Sequence, residues 1–557
     1  MSKQGQFWVI DTEDDSKGNV YWVNYFNGVE HHSFNSSDRA LEWLMRSEGE
    51  FWACNLEYDL INLFGALLEP LTVLTYGGFG LLKASVYGKP IQFRNTLRHW
   101  PLTVEEMGNR LGYPKLPFDP TNLEYCKRDC EVTWLFINSM FLKYEELGIE
   151  HIKATLPSTS LQFFTEKWCK VNWFRHADLG IWKFLARSRY GGRTEIFQLG
   201  EQRGYIHEYD LNSSYPAAMT HEEFPNLDTL RQVGKKVDFN KSGVVSCLVK
   251  APNIEFPLLP YKEPESGKLL FPIGTFGGTW TYVEMRKALD LGYQILDIYD
   301  AIEYDLQPSP FKEYMTFIYH NRKVVYVEDE LMGYTLKILM NALFGKWGEE
   351  GELQVISRGK RYVMRQVPKH SNMIWASYVL AYGRLNLYDC MIQASKVGKL
   401  LYTDTDSIFV KTATSKKPFP GSNVLGELSF KKTHGLAHFK LPKLYRVESK
   451  YKAKGIPSDK KNPEFPDRLK KAFFEEEVAE FMKPYRWIEA KKLHEQANVW
   501  RLVSKQVNSE YNKRLVLKNG ATWPLTIGEN RVINPIGNPV KNSKRKPKGR
   551  KLEKLEE

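Results

Sequence analysis

The chain has 557 residues, of which 42% are hydrophobic and 26% are charged. These proportions are typical of a globular protein and exclude a chain too polar to form a core. The length allows two to four domains. The net charge is +12 at pH 7, and such a basic excess suits a polyanionic partner, although many basic proteins bind no nucleic acid.

The six cysteines are scattered, without the two closely spaced pairs of a zinc site. We therefore expect reduced thiols and a cytoplasmic location. The N-terminus lacks the basic and apolar pattern of a signal peptide. No apolar run approaches the roughly 18 residues of a membrane-spanning helix, so we expect no membrane partner.

The first 150 residues alternate between strand-like and helix-like segments. Strands are predicted at residues 7–10, 20–26 and 51–54, and helices at residues 38–48, 60–68 and 121–146. This alternation predicts an α/β domain over residues 1–150. The following residues, up to about 190, have helical patterns and are expected to connect this domain to the next.

From Gly191 onward, strand-like segments alternate with turns rich in proline and glycine. Strands are predicted at 204–210, 243–250 and 293–304, and helices at 311–347 (interrupted at 328–333) and 374–396. The part beyond about residue 430 mixes short strands and helices. Residues 541–557 hold eight Lys/Arg and three Glu. We expect a disordered tail there, which either solubilises the protein or assists at a phosphate backbone.

Two acids lie two residues apart in the segment 402–407, YTDTDS. Apolar runs on both sides predict two strands, which places Asp404 and Asp406 at or near the tip of a hairpin. Two carboxylates this close repel each other unless a cation lies between them, and Mg²⁺ prefers such oxygen ligands. The alternative is an ordinary polar turn, since Asp, Thr and Ser are common turn residues.

A third acid, Asp210, ends a predicted strand and is followed by a Ser and Pro pattern that starts a helix. We expect it to face the metal ions near Asp404 and Asp406 from the opposite side. The alternative for a lone Asp at this place is a capping or turn residue.

Between Asp210 and Asp404 in the sequence lies a predicted helix, one face of which carries a mixed set of side chains. It presents a cation, an amide, an aromatic ring and a glycine, namely Lys337, Asn341, Phe344 and Gly345. These groups suit a triphosphate with a stacked base, and Arg322 and Lys323 on the preceding helix add cations. For any single one of these residues, the alternative is a solvated surface side chain.

The N-terminal domain carries its own acids on three segments. They are Asp11 and Glu13 at a strand end, Asp59 after a second strand, and Asp129 four residues after Tyr125 on a helix. Four carboxylates from three segments can hold two divalent ions about 3.5–4 Å apart, the arrangement of phosphodiester hydrolysis. Each acid by itself is more often a surface residue.

Three of these segments resemble motifs of family B DNA polymerases. Residues 210–216 resemble motif A, residues 337–345 resemble motif B, and residues 402–407 match motif C. The chain departs from the family pattern at Ser214, Ala342 and Phe344. Two further segments resemble family elements that contact DNA: Tyr190, Gly191, Gly192 and Arg193, and then Lys443 with Tyr445.

The N-terminal acids resemble the three motifs of the 3′–5′ exonucleases that accompany these polymerases. The motifs correspond to Asp11 with Glu13, Asn55 with Asp59, and Tyr125 with Asp129, and Lys115 is the candidate for an assisting lysine. The size of the chain and its YGGR segment resemble the protein-primed branch of small phages and linear plasmids. That branch has two insertions. The first contacts a terminal protein and corresponds here to about residues 225–310. The second serves strand displacement and corresponds to about residues 349–372.

The resemblance implies a multi-domain α/β fold, in which an RNase H-like exonuclease domain precedes a right-hand polymerase of palm, fingers and thumb. The implied domains are the exonuclease at 1–150, a helical connection at 151–190, the palm start with the terminal-protein insertion at 191–310, the fingers at 311–348, the palm with motif C and a short insertion at 349–430, the palm end and thumb at 431–540, and the basic tail at 541–557.

The resemblance also implies the roles of individual residues. The catalytic and metal-binding groups are Asp210, the Leu211 carbonyl, Asp404 and Asp406 for synthesis, and Asp11, Glu13, Asp59 and Asp129, with Tyr125, for hydrolysis. The nucleotide-binding residues are Tyr215, Arg322, Lys323, Lys337, Asn341 and Phe344. The DNA-binding residues are Asn55, Tyr190, Gly191, Gly192, Arg193, Lys443 and Tyr445.

The implied activity is DNA synthesis on a template with proofreading, using two Mg²⁺ per site with Mn²⁺ as a substitute. The implied partners are template and primer DNA, dNTPs and a terminal protein, with the enzyme acting as a monomer. Alternatives are initiation from a nucleic-acid primer or without one, a nuclease with a degenerate polymerase part, a non-catalytic nucleic-acid-binding protein, and an RNA-synthesising enzyme. Tyr215, expected under the sugar, argues against the last of these.

Overall fold

The computed structural model describes residues 7–15, 19–64, 72–76, 81–86, 89–174, 176, 178–350, 352–357, 360–365, 367–453, 473, 478–484, 500–506 and 510–528. The tail predicted at residues 541–557 lies outside the described residues. All six cysteines are free thiols in the structure. Among the described helices, none is both long enough and apolar enough to cross a membrane.

The N-terminal domain alternates strands and helices as predicted. Its described elements are β1 (Phe7–Asp14), β2 (Val20–Phe26), β3 (His31–Phe34), α1 (Ser37–Arg46), β4 (Glu50–Ala53), α2 (Leu56–Phe64), β5 (Thr72–Tyr76), β6 (Leu81–Val86), β7 (Lys89–Asn95), a 3-10 turn (Thr96–Arg98), α3 (Val104–Leu111) and α4 (Leu123–Glu146). The helix predicted at 60–68 begins earlier, at Leu56.

The middle of the chain begins with the predicted helical connection and continues into strands. Its elements are α5 (Leu156–Lys167), α6 (Leu179–Ala186), β8 (Thr194–Ile196), β9 (Gly200–Leu211), α7 (Ser214–Met219), β10 (Phe224–Pro225), a 3-10 turn (Leu227–Thr229), β11 (Arg231–Gln232), β12 (Ser242–Ala251), β13 (Tyr261–Lys262), β14 (Leu269–Leu270), β15 (Ile273–Thr281), α8 (Tyr282–Asp290), β16 (Gln294–Tyr304), β17 (Leu306–Gln307), α9 (Lys312–His320), a π-helical turn (Asn321–Val325) and α10 (Glu330–Trp347).

The remaining described elements run to residue 527. They are β18 (Glu352–Ser357), β19 (Lys360–Arg365), α11 (Met373–Val397), β20 (Lys399–Asp404), β21 (Ser407–Thr412), β22 (Leu428–Leu441), β23 (Leu444–Val447), β24 (Lys450–Ala453), β25 (Val478–Pro484), β26 (Trp500–Gln506), β27 (Arg514–Val516), β28 (Thr522–Pro524) and β29 (Thr526–Ile527). The predicted helices at 311–347 and 374–396 and the predicted hairpin are confirmed.

The N-terminal domain is built on a mixed sheet in the order β19-β18-β5-β6-β7-β4-β1-β2-β3. Strand β1 is parallel to β4 and antiparallel to β2, and its Phe7, Val9 and Ile10 side chains are buried. Helix α4 packs against it, with Trp134 stacked on Phe7 at 5.5 Å between ring centroids. The acidic end of β1 therefore lies next to α4.

The hairpin of β18 and β19 lies in the segment 349–372 that the sequence assigned to a strand-displacement insertion. Strand β18 pairs antiparallel with β5 and extends the N-terminal sheet. An unpaired edge strand leaves a row of backbone N–H and C=O groups without partners, and this pairing satisfies them. The hairpin therefore ties the two halves of the chain together.

Two further large sheets lie in the rest of the described chain. Their orders are β24-β23-β22-β9-β21-β20-β8, here called the central sheet, and β11-β16-β12-β15-β29. Helix α11 is buried along most of its length, and its Leu387 and Met391 share a core with Tyr209 of β9 and Val245 of β12. The acidic hairpin therefore projects from a rigid, two-sheet support.

The N-terminal domain also contacts α10 through charged side chains. Lys143, near the end of α4, lies 2.5 Å from Asp329, and Arg110 on α3 lies 2.9 Å from Glu330. Asp329 also accepts a hydrogen bond from the Met332 backbone N–H at 2.8 Å, which caps the start of α10. One helix, α4, thus reaches from the acids of β1 to the start of α10.

A group of buried charges joins the C-terminal segment to β8. Glu195 is 1% exposed and accepts from Arg193 at 2.6 Å, and it lies 3.5 Å from Arg514. The two guanidinium groups hold the pKa of Glu195 below its ordinary value despite burial, which by itself would raise it. Arg514 also donates to the Glu255 carbonyl at 2.8 Å. The carboxylate is therefore the shared partner of two cations that are out of reach of water.

We expect Glu195→Gln to destabilise the protein by about 3–5 kcal/mol, because it leaves two buried guanidinium groups without a charged partner. The matched control is Glu201→Gln, which removes the 2.7 Å pair with Arg203 at the surface, where such a pair contributes about 0–1 kcal/mol. Thermal unfolding of both variants measures the difference. Equal melting temperatures for the two variants would contradict the prediction.

Candidate active sites

The predicted acidic hairpin is formed by β20 and β21, with Asp404 at the end of the first strand. Thr405 adopts a left-handed conformation (φ 63°), and the Asp406 N–H donates to the Asp404 carbonyl at 2.6 Å. On the neighbouring strand β9, Asp210 is paired with Ser407, and the Leu211 N–H donates to the Asp406 carbonyl at 2.6 Å. The structure thus brings Asp210, Leu211 and the two hairpin acids together, as the sequence predicts.

The two hairpin acids have different surroundings. Both oxygens of Asp404 accept from the Lys443 ammonium, at 2.5 and 2.7 Å, and Oδ1 also accepts from the Thr194 hydroxyl at 2.9 Å. The Tyr402 hydroxyl donates to Oδ2 at 3.3 Å. The charge of Asp404 is therefore already balanced by a side chain of the protein.

Asp406 has a weaker set of partners. Burial, and then the charges of Asp210 and Asp404, together raise its pKa to about 6. Asp210 lies 3.3 Å from the Lys431 ammonium, and both of these side chains remain partly exposed. Asp210 and Asp406 are therefore the two carboxylates of this site that have most to gain from a cation.

The sequence did not point to Lys431. This residue lies at an irregularity in the pairing of β22 with β9, where the register shifts between Phe430 and Lys432. A bulge of this kind redirects a side chain and has no local sequence signature here. The position of the lysine therefore depends on how two distant strands are paired.

Tyr215 and Phe344 form a stacked pair beside these acids. Their ring centroids are 4.6 Å apart with an angle of 19° between the planes. On the same helix as Phe344, the residues Lys337, Asn341 and Gly345 are all exposed. The predicted shared helix face is confirmed, and it is open to a ligand.

Arg322 and Lys323 lie in the π-helical turn after α9. Burial lowers the pKa of both residues, and the charges of Arg322 and Lys431 further lower that of Lys323. Three cations from two distant segments thus lie close to one another on the Asp210 side of the hairpin. Such an excess of positive charge favours an anion with several charges, such as a triphosphate.

The segment 190–193 supports the hairpin instead of facing outward as predicted. Arg193 is 1% exposed, and its carbonyl accepts from the Thr405 N–H at 2.7 Å. A Cβ atom on Gly192 would lie 2.7 Å from the Thr405 side chain. Tyr190 is buried, and only Gly191 is exposed. The side chains of Tyr190 and Arg193 are thus enclosed by the core, and the predicted DNA contact of this segment stays a prediction.

The later segment, Lys443 and Tyr445, lies directly beside the hairpin. Lys443 pairs with Asp404, and its backbone N–H donates to the Tyr402 hydroxyl at 3.0 Å. Tyr445 is 5% exposed and packs at 5.2 Å from the Tyr402 ring. Its ring belongs to an aromatic core, and the predicted DNA contact of Tyr445 stays a prediction.

The N-terminal acids form a second site. Asp11, Glu13 and Asp129 each offer a carboxylate oxygen, and these atoms lie within 4.8 Å of one another. Asp59 lies beside them and accepts from the Thr12 N–H and hydroxyl, both at 3.0 Å. The four predicted acids are therefore brought together from β1, α2 and α4.

The predicted partners of these acids are close to them as well. Lys115 is paired with Asp129, and its ammonium lies 4.5 Å from the centroid of the Tyr125 ring. Tyr125 is 2% exposed, and burial raises its pKa to about 12, so the hydroxyl stays protonated. Asn55 is exposed in a left-handed conformation (φ 66°) just before α2.

The chemistry of this second site fits divalent cations. Among the described residues, three buried carboxylate oxygens accept no hydrogen bond, namely Asp11 Oδ2, Asp59 Oδ2 and Asp129 Oδ1. Burial and the neighbouring carboxylates raise the pKa of Asp11 and Asp59 well above the ordinary range. Hard oxygen donors that repel one another and lack partners are the ligands that Mg²⁺ or Mn²⁺ would take.

The pKa of Glu13 predicts how stability depends on pH when no metal is bound. Burial, and then the charge of Asp129, raises it from 4.5 to about 7. The folded state thus holds this proton more tightly than the unfolded state. Its stabilising contribution is complete below pH 4.5 and is lost as the pH rises through about 7.

With a chelator present, we therefore expect the melting temperature to fall between about pH 5 and pH 8, and Glu13→Gln to reduce this fall. Adding Mg²⁺ or Mn²⁺ at the higher pH should restore the melting temperature of the unmodified protein. Thermal unfolding at several pH values tests both effects. An unchanged pH slope in the variant would contradict the assignment.

The chain is similar in sequence to known DNA polymerases. The family model for DNA polymerase type B, organellar and viral, matches residues 86–391. A probable DNA polymerase of Ascobolus immersus is 26% identical over 360 residues, which cover 58% of this chain and 29% of that protein. One of Neurospora intermedia is 25% identical over 354 residues, which cover 55% and 35%. The matched region therefore spans about a third of the length of these curated relatives.

The fold is also similar to that of solved structures. Phi29 DNA polymerase complexed with primer-template DNA and incoming nucleotide substrates has a TM-score of 0.72 and 16% identity, and the match covers 90% of this chain and 100% of that chain. The same polymerase complexed with single-stranded DNA has a TM-score of 0.68 at 17% identity, with coverage of 90% and 100%. This likeness shows a multi-domain α/β fold of the B-family polymerases. Since the family model covers more than half of its length, the chain belongs to the type B DNA polymerases of the organellar and viral kind.

Proposed function

We propose that this protein is a template-directed DNA polymerase with a 3′–5′ exonuclease. The observation that carries the proposal is the grouping of Asp210 and Asp406 beside Arg322, Lys323 and Lys431. Carboxylates for metal ions next to cations for phosphates are the two parts that phosphoryl transfer requires. Membership of the type B family supports the same reaction, and Phi29 polymerase has been solved with the kinds of DNA and nucleotide proposed here.

Asp210, Asp406 and the Leu211 carbonyl are the groups that would hold two Mg²⁺ ions, with Mn²⁺ as a substitute. When bound, such ions lower the pKa of an attacking hydroxyl and neutralise a pyrophosphate leaving group. Asp404, held by Lys443, keeps the hairpin in place and adds to the negative field. Arg322, Lys323 and Lys337 stabilise the charge on the triphosphate, and Tyr215 lies under the sugar of the incoming nucleotide.

The second site would remove mispaired nucleotides. Asp11, Glu13, Asp59 and Asp129 are the groups that would hold the metal ions for hydrolysis. Tyr125 keeps its proton and can orient the attacking water, and Lys115 fixes Asp129. Exposed Asn55 can contact the single strand that enters this site.

The domain layout follows from these assignments. Residues 1–150, with the β18–β19 hairpin, would form an RNase H-like exonuclease domain, α9 and α10 the fingers, and the central sheet the palm. The 225–310 region would contact a terminal protein that supplies the priming hydroxyl, and the enzyme would act as a monomer. The likeness to Phi29 polymerase over 90% of this chain supports this layout.

The first test uses purified protein, Mg²⁺ and an end-labelled primer–template. We expect the primer to lengthen with dNTPs and to shorten without them. Asp406→Ala should abolish lengthening and spare shortening, and Asp11→Ala should do the reverse, because the two sets of acids lie in separate domains. Loss of both activities in one folded single variant would contradict two separate sites.

The stacked aromatic pair predicts how sugars are discriminated. Phe344→Ala removes the ring that supports Tyr215, and a stacked pair contributes about 0.5–1.5 kcal/mol. We therefore expect incorporation of NTPs relative to dNTPs to rise about 2- to 10-fold. Steady-state kinetics with both nucleotides measure the ratio, and Phe174→Ala, at an exposed ring stacked on Trp173, is the control. An unchanged ratio would contradict the supporting role of Phe344.

A further inference from the structure

A segment near the end of the described chain returns to the central sheet. The Tyr511 hydroxyl accepts from the Ile196 N–H at 3.0 Å, and Arg514 donates to Thr522 at 2.9 Å and is buried beside Glu195. Strand β29 then pairs in parallel with β15. Residues 511 and 514 are thus anchored in the core, and Lys513 between them is held in a fixed place.

Lys513 lies next to the acidic hairpin. Its ammonium donates to the Thr194 carbonyl at 3.2 Å, and the hydroxyl of the same Thr194 donates to Asp404. The Lys513 side chain is half-buried. An ammonium has three N–H donors, and this backbone contact uses one of them.

The nearby carboxylates are already paired with other cations. Lys443 binds Asp404, and Arg193 and Arg514 bind Glu195. Within the described residues, Lys513 forms no ion pair of its own. Burial lowers its pKa, Asp404 and Glu195 raise it, and Lys443 and Arg193 lower it further. Lys513 is therefore a half-buried ammonium with no carboxylate partner among the described residues, which leaves it able to pair with an added anion.

The order of strands in the central sheet indicates which anion Lys513 would bind. Lys431 lies on β22 and Thr194 on β8, which are separated by β9, β21 and β20. At about 4.8 Å per strand, these two ends are roughly 19 Å apart, with Asp210 and Asp406 between them. The cations proposed for the triphosphate lie on the β22 side. The β8 side is therefore left for the other reactant, the strand that is extended.

We propose that Lys513 binds a backbone phosphate of the primer strand close to its 3′ end. This inference rests on the proposed function, and it names the contact that holds the primer at the same site. A lysine ammonium is well suited to a phosphate because it is a compact charge with several donors. Lys513 would thus act on DNA affinity and primer placement, and not on nucleotide binding.

The test compares Lys513→Ala and Lys513→Arg with Lys518→Ala, which removes an exposed lysine from the same segment. Binding to a fluorescent primer–template is measured by anisotropy at several salt concentrations in EDTA, so that no cleavage occurs. We expect Lys513→Ala to reduce the slope of log affinity against log salt by about one, with Lys513→Arg retaining it. The KM for dNTPs should not change.

A modified primer identifies the strand. Neutral methylphosphonate at the two linkages nearest the 3′ end should weaken binding of the unmodified protein to the level of Lys513→Ala, and should not weaken that variant further. An equally large effect of the neutral linkages on both proteins would overturn the proposal. So would a Lys513→Ala salt slope equal to that of Lys518→Ala.

The two hypotheses fail in different ways. If the unmodified protein binds primer–template but does not extend it, the proposed function is overturned while the salt slopes still decide the role of Lys513. If it binds no primer–template, both fall together. Melting temperatures identify a variant that misfolds. If Lys513→Ala misfolds, the role of Lys513 is decided by the Lys513→Arg variant and by the effect of the neutral primer on the unmodified protein.

Discussion

The pairing of buried Glu195 with Arg193 and Arg514 is the interaction on which the polymerase-like site depends. It joins a strand near the middle of the chain to a segment more than 300 residues later. Through that strand, Arg193 and Thr194 hold the backbone and carboxylate of the acidic hairpin. Because an unpaired buried charge is so unfavourable, the contact of the C-terminal segment with β8 stabilises the strand that holds the hairpin.

The negative charges of the carboxylates are balanced by different cations at the two sites. At the hairpin, Lys443 neutralises Asp404 and Lys431 approaches Asp210, so the remaining repulsion falls mainly on Asp406. In the N-terminal domain, Lys115 is the nearby cation for four acids, and three buried oxygens accept no hydrogen bond among the described residues. The second site should therefore gain more stability from divalent ions than the first.

The two sites are linked by one long helix. Near its start, α4 carries Tyr125 and Asp129, and near its end Lys143 pairs with the residue that caps α10. Helix α10 in turn carries Lys337 and Phe344. Helices α4 and α10 together thus connect the two groups of acids, and the β18–β19 hairpin adds a second connection between the two halves of the chain.

The sequence by itself determined the acids, their order and most of the helices and strands, since these depend on local periodicity and on spacing along the chain. The tertiary structure alone decided which predicted residues are enclosed. Arg193 and Tyr445 turned inward because core packing surrounds them, and β18 joined the N-terminal sheet because an edge strand there needed a partner. It alone also brought Lys431 and Lys513 to the hairpin, since contacts between residues far apart in sequence depend on strand register and on chain closure. No local pattern encodes either of these.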